Sequence, residues 1–284
     1  MGALLVVMVV VASAVWVWTR SRSVPVPADL APFEQVDLGR FAASDALVGV
    51  TRSNYLPMTI TRAGRGKTSL AIVDAHSGTV IDAGPVPVDG WVTASYPRAS
   101  GRFVATVTDV CPERPREGDA GLECVVASPF EPIGVQLSVY DIQAGTWATL
   151  RLDALSSQIV SLADVDGSTA TLRKDNTAGG EPDTWATVDL TRPLHVGAFS
   201  TRSSIRPSGL AMSNDGSIDG WGWKARAVNE ERAAATWIGT IDGHRDTISI
   251  STPPMRQLQG AGRCLVIGTF RPHHLDHLHR LCAS

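Results

Sequence analysis

Four segments of this chain end the same way, in an apolar strand that runs into an aspartate: LAIVD (70–74), LSVYD (137–141), WATVD (185–189) and IGTID (238–242). The third position before each aspartate is small (Ala71, Ser138, Ala186, Gly239). The position just before it is bulky (Val73, Tyr140, Val188, Ile241). Side chains alternate across a strand, so these two positions share one face. A small residue there lets a neighbouring sheet approach closely. Gly-containing turns follow, as in Ala75–Thr79 and Ile142–Thr146. A unit that recurs in this way makes a chain of similar sheets and excludes a helical fold.

A second element precedes the first. It is a Gly-led turn into an apolar strand, seen in SGRFVATV (100–107), DGSTATL (166–172), DGSIDGW (215–221) and GRCLVIG (262–268), with a weaker copy at Gly49. Lead glycines at 49, 101, 167, 216 and 262 mark five units of 46–66 residues, near the period of propeller blades. The second unit is long because it contains CPERPREGDAGLEC (111–124), a polar insertion with a cysteine at each end. The fifth unit is too short for a fourth strand, which Phe33–Phe41 (FEQVDLGRF) can supply. Closing a ring with an N-terminal strand removes the exposed edge of an open sheet. The expected fold is all-β, a five-bladed β-propeller closed by an N-terminal strand. A β-sandwich is the alternative. ARAVNEERAAA (225–235), although helix-friendly, is expected to lie in a hairpin.

LAMSNDGSI (210–218) and YPRASGRFVATVTD (96–109) resemble the SPDG-type blade motif of TolB-like and related WD-repeat-like propellers. The Pro-Asp of that motif is replaced by Asn214-Asp215 in one copy, Ala99-Ser100 in another and Val165-Asp166 in a third. The resemblance covers most of residues 45–284 as short motifs. It implies the propeller fold and no particular protein.

The chain begins with an uncharged apolar run, residues 2–18 (GALLVVMVVVASAVWVW), closed by Trp16 and Trp18. Its length is the short end of a membrane span, with aromatics at the interface. We read residues 1–19 as a single transmembrane helix, an anchor with the lipid bilayer as its partner. A cleaved signal peptide is the rival, since Ala12-Ser13-Ala14 fits the cleavage rule. Residues 20–32 hold three prolines and form a linker. Residues 33–284 form the β domain. Arg20 and Arg22 after the span would place that domain in the cytoplasm. The cysteines argue the opposite. They fall into two local pairs, Cys111 with Cys124 and Cys264 with Cys282, as disulfides of an oxidising compartment do. If 263–270 and 276–283 form a hairpin, Cys264 stands opposite Cys282. We place the domain on the extracytoplasmic side of a bacterial membrane. The Arg-rich, Lys-poor composition fits a GC-rich bacterial genome. The net charge of −3 gives no basic surface for nucleic acid.

Residues with chemistry are few. His273, His274, His277 and His279 lie within seven residues and form a candidate transition-metal site, although HExxH is absent. GRGKTS (64–69) lacks the first glycine of a phosphate loop, Thr61 standing near its place, and reads as a hairpin loop. Trp221 and Trp223 in GWGW share a strand face and form a candidate platform for a sugar or peptide. The repeated Asp74, Asp141, Asp189 and Asp242 read as turn formers, because an acid and a base need unlike environments. No catalytic residue and no cofactor are expected. The expected function is a binding or scaffold module whose partner is another envelope protein or a glycan. The alternatives are a glycan-active hydrolase with carboxylates in the propeller funnel and a metal-binding envelope protein.

Overall fold

A computed structural model describes residues 33–284 except 43, 62–67, 89, 93–94, 112, 114–115, 119–120, 124–133, 153–159, 177–179, 202–222, 230–233, 242–243, 252–255, 263, 272–273 and 283–284; for 116–123, 223–259 and 271 it describes the backbone only. The described residues are all-β, arranged in several sheets. Among the described residues no helix is long and apolar enough to cross a membrane. The expected transmembrane helix at 1–19 and the linker at 20–32 lie outside the described residues.

The strands follow one another as short antiparallel meanders. After β1 (Glu34–Val36) and a 3-10 turn at Gly39–Phe41, the first meander runs through β2 (Ser44–Val48), β4 (Tyr55–Thr61), β5 (Thr68–Asp74) and β6 (Val80–Pro85), while β3 (Val50–Thr51), between β2 and β4 in the chain, joins the sheet of the second. A linker carries β7 (Trp91–Val92). The second meander then comprises β8 (Arg98–Ser100), β9 (Phe103–Cys111), β12 (Gly134–Asp141) and β13 (Thr146–Leu152). The small hairpin of β10 (Arg116–Gly118) and β11 (Gly121–Glu123) interrupts it. That hairpin is the insertion read from the sequence: β9 and β12 pair from Val110↔Gly134 to Phe103↔Asp141 on either side of it. The third meander is β14 (Val160–Asp166), β15 (Thr169–Lys174) and β16 (Thr184–Asp189), with a bridge from Trp185 to Ser200 beyond. The fourth is β17 (Trp223–Asn229), β18 (Ala234–Ile241) and β19 (His244–Ser251), so the helix-friendly stretch after Ala225 is a hairpin, as expected. The fifth is β20 (Arg256–Ala261), β21 (Cys264–Arg271) and β22 (His274–Cys282); it is hydrogen-bonded to the first, because β22 pairs with β2 through Leu275↔Ser44 and His274↔Asp45, so with β1 the two make one eight-stranded sheet.

β1 completes the fifth meander. It pairs antiparallel with β22 through Glu34↔Arg280, Gln35↔His279 and Val36↔Leu278. The domain's first strand therefore lies beside its last, as the sequence predicts. Arg280 adds an ion pair to Glu34 at 2.8 Å and donates to the carbonyls of Ala75 and His76 in the turn after β5.

The alternation on the strands explains how the meanders pack. On β5, Ala71 and Val73 join a cluster with Cys264, Val266 and Leu278 of the fifth meander. Leu70 and Ile72, on the opposite face, join Ala99, Val104 and Tyr140 of the second. On β12, Leu137 and Val139 face Leu172 and Val188 of the third meander, while Tyr140 faces the first. Both faces of these strands are buried against successive neighbours, and the small positions Ala71, Ser138 and Ala186 are each fully covered. Close packing of two faces demands small residues at the contact, which is why that pattern recurs.

The lead glycines occupy hairpin turns. Gly101, Gly167 and Gly262 have φ of 55°, 56° and 58°, a left-handed conformation that favours glycine. Gly49 differs from its expected role. It is absent from the left-handed set and stands in the junction of β2 and β3. A Cβ there would collide with the Pro97 carbonyl oxygen, so the position is glycine for close approach. The turn of the first meander is instead Arg52–Asn54. Gly216 lies outside the described residues.

Candidate functional site

The hairpin turns of four meanders meet on one side of the domain. Gly262 sits against Asn54. The Arg52 amide donates to the Ala99 carbonyl at 2.8 Å, and the Gly167 amide donates to Ser100 Oγ at 2.9 Å. β3 pairs parallel with β8, and β14 packs beside β8.

At this meeting point lies a charged cluster. Arg52 Nη2 reaches Asp164 Oδ2 at 2.8 Å, and its Nη1 reaches Asp166 at 3.3 Å, so a first-meander side chain is tied to the third meander. Arg98 on β8 donates through Nε to the Leu162 carbonyl at 3.1 Å. Asp164 is 4% exposed, and its Oδ1 accepts from the Val165 amide at 2.9 Å. Burial pushes the Asp164 carboxyl above its ordinary value, against the pull of Arg52, the Val165 amide and Arg98; Asp166 adds to the rise. Burial also lowers the Arg98 guanidinium, with Asp164 opposing and Arg52 reinforcing that change.

This cluster makes a testable linkage. The folded protein holds the Asp164 proton more tightly than the unfolded chain. Between the ordinary value of 3.8 and the raised one, the native state therefore binds more protons, and stability falls as pH rises. The difference in melting temperature between wild type and Asp164→Asn, which does not titrate, should decline across that window. A difference that stays flat or grows with pH would contradict the burial argument.

The other carboxylates of the repeat serve their own turns. Asp74 Oδ1 accepts from the His76 amide at 3.0 Å, Asp141 Oδ1 from the Gln143 amide at 2.9 Å and Asp189 Oδ1 from the Thr191 amide at 2.9 Å. Hydrogen bonds from Thr191 hold the Asp189 carboxyl below its ordinary value. Three of the four repeated aspartates thus act as the turn formers expected; Asp242 lies outside the described residues.

Of the expected site residues, His274, His277 and His279 are described with their side chains. His274 is exposed, with Nδ1 2.7 Å from Asp45 Oδ1 across the β2–β22 contact. His277 Nδ1 lies 3.3 Å from Gln35 Nε2. His279 is buried, and its ring centroid is 6.1 Å from that of His277. His273 is outside the described residues. Among the described residues no three His, Cys, Asp or Glu side chains gather as metal ligands. Trp221 is outside the described residues, and Trp223 opens β17 with its backbone alone described. Thr61 and Thr68 close the β4–β5 hairpin around residues 62–67, so GRGKTS begins within that hairpin connection.

Cys264 and Cys282 are disulfide-bonded and stand directly opposite in the β21–β22 register. Both sulfurs lie within 3.2 Å of the Ala75 carbonyl oxygen, a contact and not a hydrogen bond, since a disulfide sulfur carries no proton. Cys111 is disulfide-bonded as well; Cys124, the remaining cysteine of the chain, is outside the described residues.

Arg52, Arg98, Asp164 and Asp166 are not singled out by the sequence reading, yet a signal exists. Arg98 and Asp164 each stand three residues before a lead glycine (Gly101, Gly167), so adjacent units carry opposite charges at one equivalent position. Compared with known proteins, the chain matches no family model and no curated protein. Among solved structures it is similar to TolB from Acinetobacter baumannii at 8% identity and a TM-score of 0.32, over 84% of this chain and 54% of that one. The chain thus spans about half the length of that structure, and the likeness is too loose to transfer any property.

Proposed function

We propose that this chain is a bacterial envelope protein in which residues 2–18 anchor a five-bladed β-propeller, held outside the membrane, that acts as a binding or scaffold module. The observation that carries the reading is the state of the cysteines. Among the described residues none is free, and the Cys264–Cys282 bridge lies in the meander that β1 completes. Disulfides of this kind persist in oxidising compartments.

Two-sided burial of β5 and β12 supports blades over a sandwich, in which one face of each sheet meets solvent or a single partner sheet. The β1–β22 pairing supports ring closure. Both oxygens of Asp164 are occupied, one by Arg52 and one by the Val165 amide, which supports a structural role for that carboxylate. A general acid needs a proton aimed at substrate. Propellers carry function in the loops displayed by a rigid ring.

Thiol labelling of the intact protein in its native membrane, under denaturing conditions, tests the reading. No free thiol is expected before reduction and four after it. Labelling of all four without reductant would place the domain in a reducing compartment and end the envelope assignment.

A further inference from the structure

Arg98 has donors to spare where three meanders meet. Its Nε is used on the Leu162 carbonyl at 3.1 Å, while no described residue accepts from its Nη1 or Nη2. The neighbouring Arg52 is committed to Asp164 and Asp166. Solvent reaches this place: the Asp166 side chain is 68% exposed, and Arg98 is only partly covered. A guanidinium offers a planar fork of parallel N–H donors that fits a carboxylate or phosphate bidentately. Here the fork is held in direction by its Nε bond to β14, so little side-chain freedom is lost on binding.

Charge chooses between the two anions. Arg52 and Arg98 balance Asp164 and Asp166, so the cluster sums to zero. A single carboxylate adds one negative charge beside Arg98. A phosphate dianion adds two, within reach of two fixed carboxylates whose repulsion grows with that charge.

We propose that the Nη1–Nη2 edge of Arg98, at the junction of β3, β8 and β14, is a binding site for a single carboxylate group of a ligand. The inference rests on the binding-module reading, but the two fail separately. Thiol labelling tests where the domain lies, whereas the titration below tests this site whatever the compartment. The carboxylate comes from an acidic peptide or from a sugar acid, and the probes distinguish these sources.

The experiment is calorimetric titration of the full chain in detergent with an acidic dipeptide, with glucuronate and with inorganic phosphate. Saturable binding of the dipeptide, of glucuronate or of both is expected. Arg98→Gln should weaken it about tenfold or more, with far-UV circular dichroism unchanged. Arg98→Lys keeps the charge and loses the fork, and should also bind more weakly than wild type; it carries the test if the Gln variant fails to fold. Binding of phosphate alone, binding of no probe by wild type, or equal affinity in Arg98→Lys overturns the assignment.

Discussion

Ile72→Ala is expected to destabilise the domain by about 2–5 kcal/mol, and the loss should be coupled to the second meander and not to the fifth. Ile72 is fully buried and shares a cluster with Ala99, Val104 and Tyr140. Removing it costs the transfer free energy of the deleted groups plus that of the cavity left behind. Its neighbour Val73 is equally buried but faces Cys264, Val266 and Leu278. Double-mutant cycles under urea unfolding read the difference. Ile72→Ala with Val104→Ala should show a coupling of about 0.5 kcal/mol or more, as residues of one packed cluster do. Ile72→Ala with Val73→Ala should be closer to additive, although the two are adjacent in sequence. The reverse ranking would mean that β5 is not packed between two different neighbours.

Loss of the Cys264–Cys282 bridge has the second large expected effect. It closes a loop with a sequence separation of 18, for which the chain-entropy argument gives about 3 kcal/mol. The bridge also lies against the Ala75 carbonyl of the first meander, beside the Arg280 contacts to that turn. Cys264→Ser/Cys282→Ser should therefore lower the urea midpoint. It should also raise amide exchange first at 34–36 and 264–282, where three residue pairs, the Glu34–Arg280 ion pair and the Gln35–His277 contact hold β1. If exchange rises evenly over the whole domain instead, the bridge is not a local fastening of that strand.

The residues that were legible in the sequence are those whose role is local. Ala71, Ser138 and Ala186 announce their faces through strand alternation, and Asp74, Asp141 and Asp189 announce their turns through the glycines or threonine that follow. Cys264 and Cys282 are near enough in sequence for hairpin register to place them opposite each other. Gly49 misleads because a glycine needed for approach to Pro97 looks, in one dimension, like a glycine needed for a turn. The Arg52–Asp164 pair escapes notice for another reason. It joins residues 112 apart, and no periodicity connects a turn of one unit with a strand two units later. Only the charge reversal between Arg98 and Asp164, at matched distances from Gly101 and Gly167, leaves a trace of it.

The pairing of β1 with β22 has a consequence in time. Glu34 and its partner Arg280 are separated by 246 residues. At a synthesis rate of about 5–20 residues per second, Glu34 waits roughly 12–50 s on the ribosome for Arg280 to be made. For that interval the strand that will finish the fifth meander has nothing to pair with, while the four meanders between can already fold. The nascent domain therefore passes through a stage with an open edge at β1, and that edge is open to pairing with other chains. Its hazard grows with every delay in translation between the two strands, so slow codons within the third or fourth meander should lower the yield of folded protein more than equally slow codons before Glu34.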